Sequence, residues 1–116
     1  MNKKELTIRK DIINAALILE RKKLNQGKAG NISVRWDGGL LITPSGIAYD
    51  KLKPEDIVFV DKNKKYHGKW KPSSETPFHF DILKNKKNMD VVIHTHAPYG
   101  TGFSILGKPI PCFNYM

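Results

Sequence analysis

The chain has 116 residues, of which 40% are hydrophobic, and this is enough for one small domain with its own core. It carries 20 lysines and arginines against 11 aspartates and glutamates, a formal charge of +9, and 17 of the 20 cations are lysine. Because arginine does most of the bidentate recognition of phosphates and base edges, the lysine excess favours a solvated surface over a nucleic-acid-binding surface.

The single cysteine, Cys112, excludes an internal disulfide and fits a reducing compartment. It lies between a proline and a phenylalanine with no nucleophile motif, so we expect it to serve packing. No apolar run approaches the ~18 residues of a membrane span, and residues 1–4 are basic but lack the apolar segment of a secretory signal. We therefore expect a cytoplasmic protein with neither a membrane nor a nucleic acid as partner.

Residues 4–24 are predicted to form one amphipathic helix that ends at Asn25-Gln26-Gly27, where the residue types tolerate a left-handed conformation. The apolar residues that follow the helical period are Leu6, Ile13, Leu17 and Leu24, with Ile12, Ala16 and Leu19 widening the stripe. No chemistry is predicted on this helix, which we expect to cover one face of a sheet.

Two loops of small residues flank a predicted hairpin. Residues 27–31 contain two glycines and an asparagine, which allow backbone N–H groups to point at a ligand, although a plain helix-to-strand turn is the preferred interpretation of this loop on its own. A half-buried strand is expected at residues 32–36, and Asp37-Gly38-Gly39 indicates a hairpin into a return strand at residues 40–43. Pro44-Ser45-Gly46 then offers a hydroxyl and N–H groups to an anion.

The middle of the chain is predicted to be structural. It contains in order a turn at residues 52–56, a strand at 57–60, a charged hairpin tip at 61–65 and an outgoing segment at 66–70. His67, next to a glycine in this polar segment, is expected to be a surface histidine.

A third loop of small residues precedes a second helix. Thr76 before Pro77 predicts an N-cap followed by proline at the first helical position, and the helix is expected to run to about Lys84. Its apolar residues expected to be buried are Phe78, Ile82 and Leu83. Ser73, Ser74 and Glu75 then precede a helix N-terminus, where donors and the dipole favour anions, although the two serines could simply cap the helix.

His79 lies four residues after Glu75 and could share its face of the helix as a ligand. A structural hydrogen-bonding role is the preferred interpretation, because the first turn of a helix has backbone groups that need partners. Later in the chain, Pro98 is expected to open a helix over residues 99–106, and residues 110–116 begin another extended segment.

Three β-branched residues, Val91-Val92-Ile93, run into His94-Thr95-His96. In a strand, residues two apart point to the same face, so both imidazoles are expected on one side of its end. This arrangement suits a divalent metal such as zinc if a third ligand is near, and the segment around Glu75 supplies a carboxylate. The alternative is a pair of buried or surface histidines bonded to backbone.

Four motifs together resemble a known family: GKAGNISVR at residues 27–35, LITPSGIAY at 41–49, KPSSE at 71–75 and the His94-Thr95-His96 triplet. They recur in this order and at these spacings in the class II aldolase and adducin family. The resemblance implies an α/β fold with three α/β/α layers and a mostly antiparallel central sheet. It also implies that residues 1–116 form an incomplete N-terminal domain. The family holds its zinc ion with three histidines, and the third of them lies beyond the position of Met116.

The resemblance also implies roles for individual residues. Glu75, His94 and His96 would hold a catalytic Zn²⁺, and Glu75 would also move protons. The implied phosphate cradle consists of Gly30, Asn31, Ser45, Gly46, Ser73 and Ser74. Tyr115 would act as a proton donor in a neighbouring subunit's active site, within a homotetramer.

The reaction implied by the resemblance is aldol cleavage of a ketose 1-phosphate such as L-fuculose 1-phosphate, giving dihydroxyacetone phosphate and an aldehyde. A phosphopentose 4-epimerase of the same family is one alternative, but its serine pair is typically followed by aspartate, whereas Glu75 follows it here. A truncated binding or assembly module without activity is the other alternative.

Overall fold

The computed structural model describes residues 1–112. Its helices and strands are α1 (Lys3–Arg21), β1 (Asn31–Trp36), β2 (Gly39–Ile42), β3 (Val58–Val60), β4 (Tyr66–His67), α2 (Thr76–Asn85), β5 (Val91–His94) and α3 (Pro98–Ser104). The five strands form one sheet in the order β4-β3-β2-β1-β5, and each neighbouring pair is antiparallel. Short 3₁₀ turns at Tyr49–Lys51 and Pro54–Asp56 lie in the connection between β2 and β3.

A helix packs against each face of the sheet. The buried residues of α1 pack with Ile32, Leu41 and Ile57 on one face, and Leu83 of α2 packs with Leu40 and other strand residues on the opposite face. All four residues of β2 are buried because this strand lies at the centre of the sheet, between the two helical layers. The predicted three-layer α/β/α fold with a mostly antiparallel sheet is confirmed.

The hairpin between β1 and β2 sets the register of the central strands. Asp37 and Gly38 have φ angles of 45° and 77°, and two consecutive positive values are the signature of a type I′ turn. Ser33 pairs with Ile42 in this register and is fully buried against the α2 layer. The expectation of a half-buried β1 therefore fails at Ser33, because a second helix covers the face that the alternation leaves polar.

Helix α1 ends at Arg21, three residues before the predicted end. Lys23 takes a left-handed φ of 58°, and the Leu24 N–H donates to the Leu19 carbonyl at 2.9 Å, which is the closing bond of a Schellman motif. Leu24 therefore lies outside the helix and is exposed, so its predicted place in the apolar stripe is wrong. The early end leaves Asn25 free to turn inward.

Helix α2 has Glu75 rather than Thr76 as its N-cap, so its predicted start is one residue late. The Thr76 hydroxyl donates to the Ser73 carbonyl at 2.6 Å instead of capping the next turn. The buried face of α2 consists of Thr76, His79 and Leu83, which lie on one side of a helix. Ile82 lies off this face and is exposed, contrary to its predicted burial.

The last elements also end earlier than predicted. Strand β5 stops at His94, so His96 lies two residues beyond the strand, and α3 stops at Ser104 rather than near residue 106. Among residues 1–112, no helix combines the length and the apolar character needed to cross a bilayer.

Candidate metal and anion site

Glu75, His94 and His96 come together at one end of the sheet. One potential ligand atom from each lies within 4.8 Å of the others, and the two imidazole rings have centroids 4.7 Å apart. Strand β5 places His94 opposite Asn31 of β1, and the N-cap of α2 brings Glu75 over the same strand end. Thus the two histidines share a side although the strand ends between them.

Hydrogen bonds hold the Glu75 carboxylate in place. Its Oε2 atom accepts from Asn31 Nδ2 at 2.5 Å and is bonded to His94 Nδ1 at 2.6 Å. The Asn31 hydrogen bond is the main cause that lowers the pKa of Glu75, with a further contribution from His94 and partial opposition from burial. Glu75 is therefore ionised at neutral pH, as a metal ligand or a general base requires.

The donor set fits a zinc ion. Two imidazole nitrogens and one carboxylate oxygen form a ligand set that catalytic zinc sites use. Ligand atoms bound to one tetrahedral zinc lie roughly 3.4 Å apart, given bond lengths of about 2.0–2.2 Å. The three observed atoms, all within 4.8 Å of one another, are therefore close to the spacing that one ion requires.

His79 lies behind this cluster and is fully buried. Its Nδ1 is 2.6 Å from Ser33 Oγ, and its Nε2 is 2.5 Å from Asn31 Oδ1. Burial lowers the pKa of His79 to about 4, with a further decrease from His94 and opposition from Glu75, so the ring is neutral at pH 7. His79 does have the expected hydrogen-bonding role, but its partners are side chains of β1 rather than the first turn of α2.

All six residues of the implied phosphate cradle line one pocket. The pocket is bounded by Lys28, Ala29, Gly30, Asn31, Pro44, Ser45, Gly46, Ser73, Ser74, Glu75 and His96. The three small-residue loops, separate in sequence, therefore converge on a single polar pocket beside two of the candidate metal ligands. The roles of these residues in binding phosphate stay predictions.

Two of the expected backbone donors in this pocket are already used. The Ser45 N–H donates to the Lys71 carbonyl at 2.9 Å, and the Ser73 N–H donates to the Thr43 carbonyl at 3.0 Å, which ties the two loops side by side. The Ser73 hydroxyl accepts from the Glu75 N–H at 3.2 Å. All four of Ser45, Gly46, Ser73 and Ser74 line the pocket, but Ser73 is buried whereas the other three are exposed.

Three further residues of the site were not predicted from sequence. Asn25 is buried, and its Oδ1 accepts the His96 N–H at 2.7 Å. The Tyr49 hydroxyl donates to the Gly30 carbonyl at 2.6 Å, and burial raises the pKa of Tyr49 to about 12. Lys28 places a cation on the pocket rim. Lys28 and Tyr49 belong to two of the recurring motifs, whereas no local sequence signal marks Asn25.

The comparison with known families agrees with this geometry. A family profile described as "Class II Aldolase and Adducin N-terminal domain" matches residues 10–116. The chain belongs to this family.

Relatives within the family carry aldolase names. The chain is 49% identical over 111 residues to the 5-methylthioribulose-1-phosphate/5-deoxyribulose-1-phosphate aldolase of Rhodospirillum rubrum, covering 96% of the chain and 50% of that protein. It is 44% identical over 116 residues to the L-fuculose phosphate aldolase of Haemophilus influenzae, covering 100% of the chain and 53% of that protein. A solved structure of L-fuculose 1-phosphate aldolase matches with a TM-score of 0.87 and 33% identity, covering 94% of the chain and 53% of that chain. The chain spans about half the length of the curated relatives it matches.

Two predictions concern the last residues of the family segment. Cys112 is exposed, so the expectation that it serves packing is wrong. Tyr115, the implied proton donor of a neighbouring subunit, lies outside the described residues.

Proposed function

We propose that this chain provides the metal-binding and phosphate-binding half of a class II aldolase that cleaves a ketose 1-phosphate to dihydroxyacetone phosphate and an aldehyde. The observation that carries the proposal is the position of Glu75, His94 and His96, whose ligand atoms lie within 4.8 Å of one another. Glu75 and His96 also line the pocket built from three small-residue loops. Such a pair of sites suits a substrate with a phosphate at one end and a carbonyl at the other.

Glu75, His94 and His96 would hold the metal ion, for which zinc is the proposed identity. When bound, the ion would supply Lewis-acid stabilisation of negative charge that develops at the substrate carbonyl and its neighbouring hydroxyl. The resemblance places one further histidine ligand beyond residue 116, and the whole protein would use it to complete the site.

The pocket next to the ligands would bind the phosphate of the substrate. Among the described residues, no hydrogen bond occupies the N–H groups of Gly46 and Ser74 or the hydroxyls of Ser45 and Ser74, so these four groups are the proposed phosphate donors. Lys28 would add a positive charge at the rim. Binding the phosphate here would orient the substrate carbon chain towards Glu75 and the two histidines.

Glu75 would carry a proton at carbon 3 of the substrate. In cleavage, the C3–C4 bond breaks, the C4 hydroxyl loses its proton to become the aldehyde, and C3 gains a proton to give dihydroxyacetone phosphate. In the reverse direction, the ionised Glu75 removes this same proton from C3. Tyr115 stays the predicted proton carrier at the C4 oxygen, acting between subunits of a homotetramer in the full-length protein.

The names of the relatives indicate the class of substrate, but they differ in the part of the sugar that is released as the aldehyde. Their printed names include an L-fuculose phosphate aldolase and an aldolase of 5-methylthioribulose 1-phosphate and 5-deoxyribulose 1-phosphate. All of these substrates are ketose phosphates, so we propose that the dihydroxyacetone phosphate half is common to them and to this protein's substrate. A cytoplasmic location stays part of the proposal.

The exchange of the C3 proton tests the proposal without knowledge of the aldehyde. The full-length protein would be incubated with Zn²⁺ and dihydroxyacetone phosphate in D₂O, and the proton signal of C3 would be followed by NMR. We expect stereospecific loss of one C3 proton, abolished in Glu75→Gln and retained in Glu55→Gln, which changes a glutamate outside the pocket. Binding of Zn²⁺ and phosphate without exchange would instead support a binding module and contradict the aldolase proposal.

A further inference from the structure

A chain of hydrogen bonds runs from the interior of the sheet to the carboxylate of Glu75. Ser33 Oγ lies 2.6 Å from His79 Nδ1, His79 Nε2 lies 2.5 Å from Asn31 Oδ1, and Asn31 Nδ2 lies 2.5 Å from Glu75 Oε2. Ser33 and His79 are 0% exposed and Asn31 is 5% exposed. Because solvent does not reach these groups, each of them depends on its protein neighbour for a hydrogen-bond partner.

Donors and acceptors can alternate along this chain in only one direction once Glu75 is ionised. A carboxylate only accepts, so the amide nitrogen of Asn31 faces Glu75 and the amide oxygen faces His79. The ring atom opposite that oxygen must carry a hydrogen, which places the proton of His79 on Nε2. A neutral imidazole then accepts at Nδ1, so the Ser33 hydroxyl donates to it.

We propose that His79 is a positioning residue whose Nε2–H donates to Asn31 Oδ1 and so holds the amide nitrogen of Asn31 towards Glu75. The inference rests on the proposed function, in which Glu75 is a metal ligand and carries the C3 proton. The two ends of an amide are nearly the same size, so packing alone does not orient Asn31. With the amide reversed, its oxygen would face Glu75 Oε2, and two acceptors would repel each other where the structure has a hydrogen bond.

The position of His79 suits this role. It lies on the buried face of α2, four residues after the N-cap Glu75, so the same helix carries both the carboxylate and the ring that orients its partner. Asn31 lies between them on β1, opposite His94 of β5. The His79 backbone N–H donates to the Glu75 carbonyl within the helix, but the ring bonds only Ser33 and Asn31. The influence of the ring on the Glu75 carboxylate therefore passes through Asn31.

Two substitutions of His79 separate the proposed role from simple packing. Glutamine can place an amide nitrogen near the position of Nε2 and keep a donor towards Asn31. Asparagine can occupy only the position of Nδ1, so it keeps the contact with Ser33 and loses the contact with Asn31. Both are neutral amides that replace a ring, and a purely structural role would rank them by packing rather than by the presence of this donor.

NMR of the ¹⁵N-labelled, metal-free full chain at pH 7 provides the first test. We expect the His79 ring of the wild type to show a protonated Nε2 and an unprotonated Nδ1. We also expect a downfield Asn31 side-chain amide proton, because it donates to a carboxylate, and Glu75→Gln should remove that shift. His79→Gln should retain the shift and His79→Asn should lose it.

Titration with Co²⁺ alone, followed by its visible absorption, provides the second test. Loss of a group that orients a ligand typically weakens metal binding about 10–100-fold, which is the loss expected for His79→Asn, with His79→Gln close to the wild type. A wild-type ring protonated on Nδ1, an Asn31 shift that persists in His79→Asn, or equal Co²⁺ affinities of the two variants would overturn the proposal.

The two tests also separate this inference from the proposed function. A wild type that binds no Co²⁺ would contradict the metal site, whereas the tautomer and the Asn31 shift would still decide the role of His79. The wild-type tautomer needs no variant, so it decides the proposal even if His79→Asn does not fold.

Discussion

Gly30 is the residue at which the first loop, the end of β5 and the buried Asn25 come closest together. Its φ angle is 76°, and a Cβ atom at this position would lie 2.3 Å from Asn25 Nδ2 and 2.6 Å from the His94 carbonyl oxygen. Both the left-handed backbone and the close approach therefore require glycine. The nearby Gly27 has a similar φ of 58°, but no atom lies within 4 Å of the Cβ that a substitution would add there. The two glycines therefore differ in how closely they are packed and not in backbone conformation.

Gly30→Ala should therefore destabilise the protein more than Gly27→Ala does. A left-handed alanine costs about 1–2 kcal/mol at either position, and the overpacking at Gly30 adds roughly 1–3 kcal/mol. Urea unfolding followed by circular dichroism measures both values. Equal losses for the two variants would mean that the contact with Asn25 and His94 is not tight in solution.

Asn25 is the residue that holds His96 in place beyond the end of β5. Asn25→Ala leaves the His96 N–H without its acceptor, and we expect the free energy of unfolding to fall by about 1–3 kcal/mol. Zn²⁺ affinity, measured by calorimetry, should fall as well, because the loop that carries one ligand loses its support. Asn88→Ala, in an exposed turn, is the matched control. If Asn25→Ala is less stable but binds Zn²⁺ as tightly as the wild type, Asn25 stabilises the fold without supporting the metal site.

At the scale of elements, α2 is attached to the sheet at both ends. Its N-terminus is held through Glu75 and His79, and its C-terminal region is held by Arg35 of β1. Arg35 Nη2 donates to the Leu83 and Met89 carbonyls, each at 2.7 Å, and Arg35 Nε lies 3.1 Å from Asp90 Oδ1. A guanidinium suits this position because it can satisfy several of the carbonyls left over at the end of a helix.

Replacing Arg35 with glutamine should loosen the C-terminal end of α2. Hydrogen bonds from a charged group are worth about 1.5–3 kcal/mol when buried, and the partial exposure of Arg35 brings the expected loss to about 1–2 kcal/mol. Hydrogen exchange of the α2 amides, with thermal unfolding beside it, measures the effect. Arg21→Gln, on the exposed end of α1, should leave these amides unchanged. Equal exchange in the two variants would contradict the proposed attachment.

The tip of the β3–β4 hairpin depends on Asp61. Its carboxylate accepts the Asn63 N–H at 2.8 Å and the Lys65 N–H at 3.1 Å, and lies 2.8 Å from His67 Nε2. The hydrogen bond with His67 is the main cause that lowers the pKa of Asp61, followed by the backbone N–H of Lys65. His67 itself is an exposed histidine, as its sequence neighbours indicated.

This lowered pKa predicts that acid opens the hairpin tip. The folded-state pKa of Asp61 lies below the unfolded value of about 3.9, so the stabilisation is fully present above that value. It is lost as the pH falls through the lower, folded-state pKa. The amide shifts of Asn63 and Lys65 should therefore change in this acidic range. Asp61→Asn should show no such transition, and an identical transition in that variant would assign it to another group.

At the scale of the whole molecule, the candidate metal site joins two layers of the fold. Glu75 is contributed by the start of α2, and His94 and His96 are contributed by β5 and the segment after it. An unfolded chain would not hold these three ligands together. Metal binding should therefore be linked to global folding rather than to a local rearrangement.

Zn²⁺ should raise the free energy of unfolding in a manner that depends on His94. A ligand that binds only the folded state adds about 2.7 kcal/mol at a concentration of 100 Kd. The affinity of this chain alone is expected to be weak, because the resemblance places a further histidine beyond residue 116. Thermal unfolding with and without Zn²⁺ measures the shift, which His94→Ala should abolish and His67→Ala should retain. Equal shifts in both variants would contradict the assignment of His94.

Patterns between near neighbours in the sequence were enough to predict individual strands, the hairpin at Asp37-Gly38 and, to within one residue, the helix start before Pro77. The alternation along a strand also predicted that His94 and His96 share a side, and the resemblance of four motifs indicated the family. These features are encoded locally because strand alternation, turn conformation and helix starts each depend on a few consecutive residues.

Only the tertiary structure revealed how the site is supported. Asn25 reaches His96 across 71 positions of sequence, and His79 reaches Asn31 across 48. The N–H groups of Ser45 and Ser73 donate to carbonyls of loops that are far from them in the sequence, in a pairing like that of two strands. A buried polar group must find whichever partner the packing brings near, and that partner is set by the arrangement of layers rather than by its own sequence neighbours.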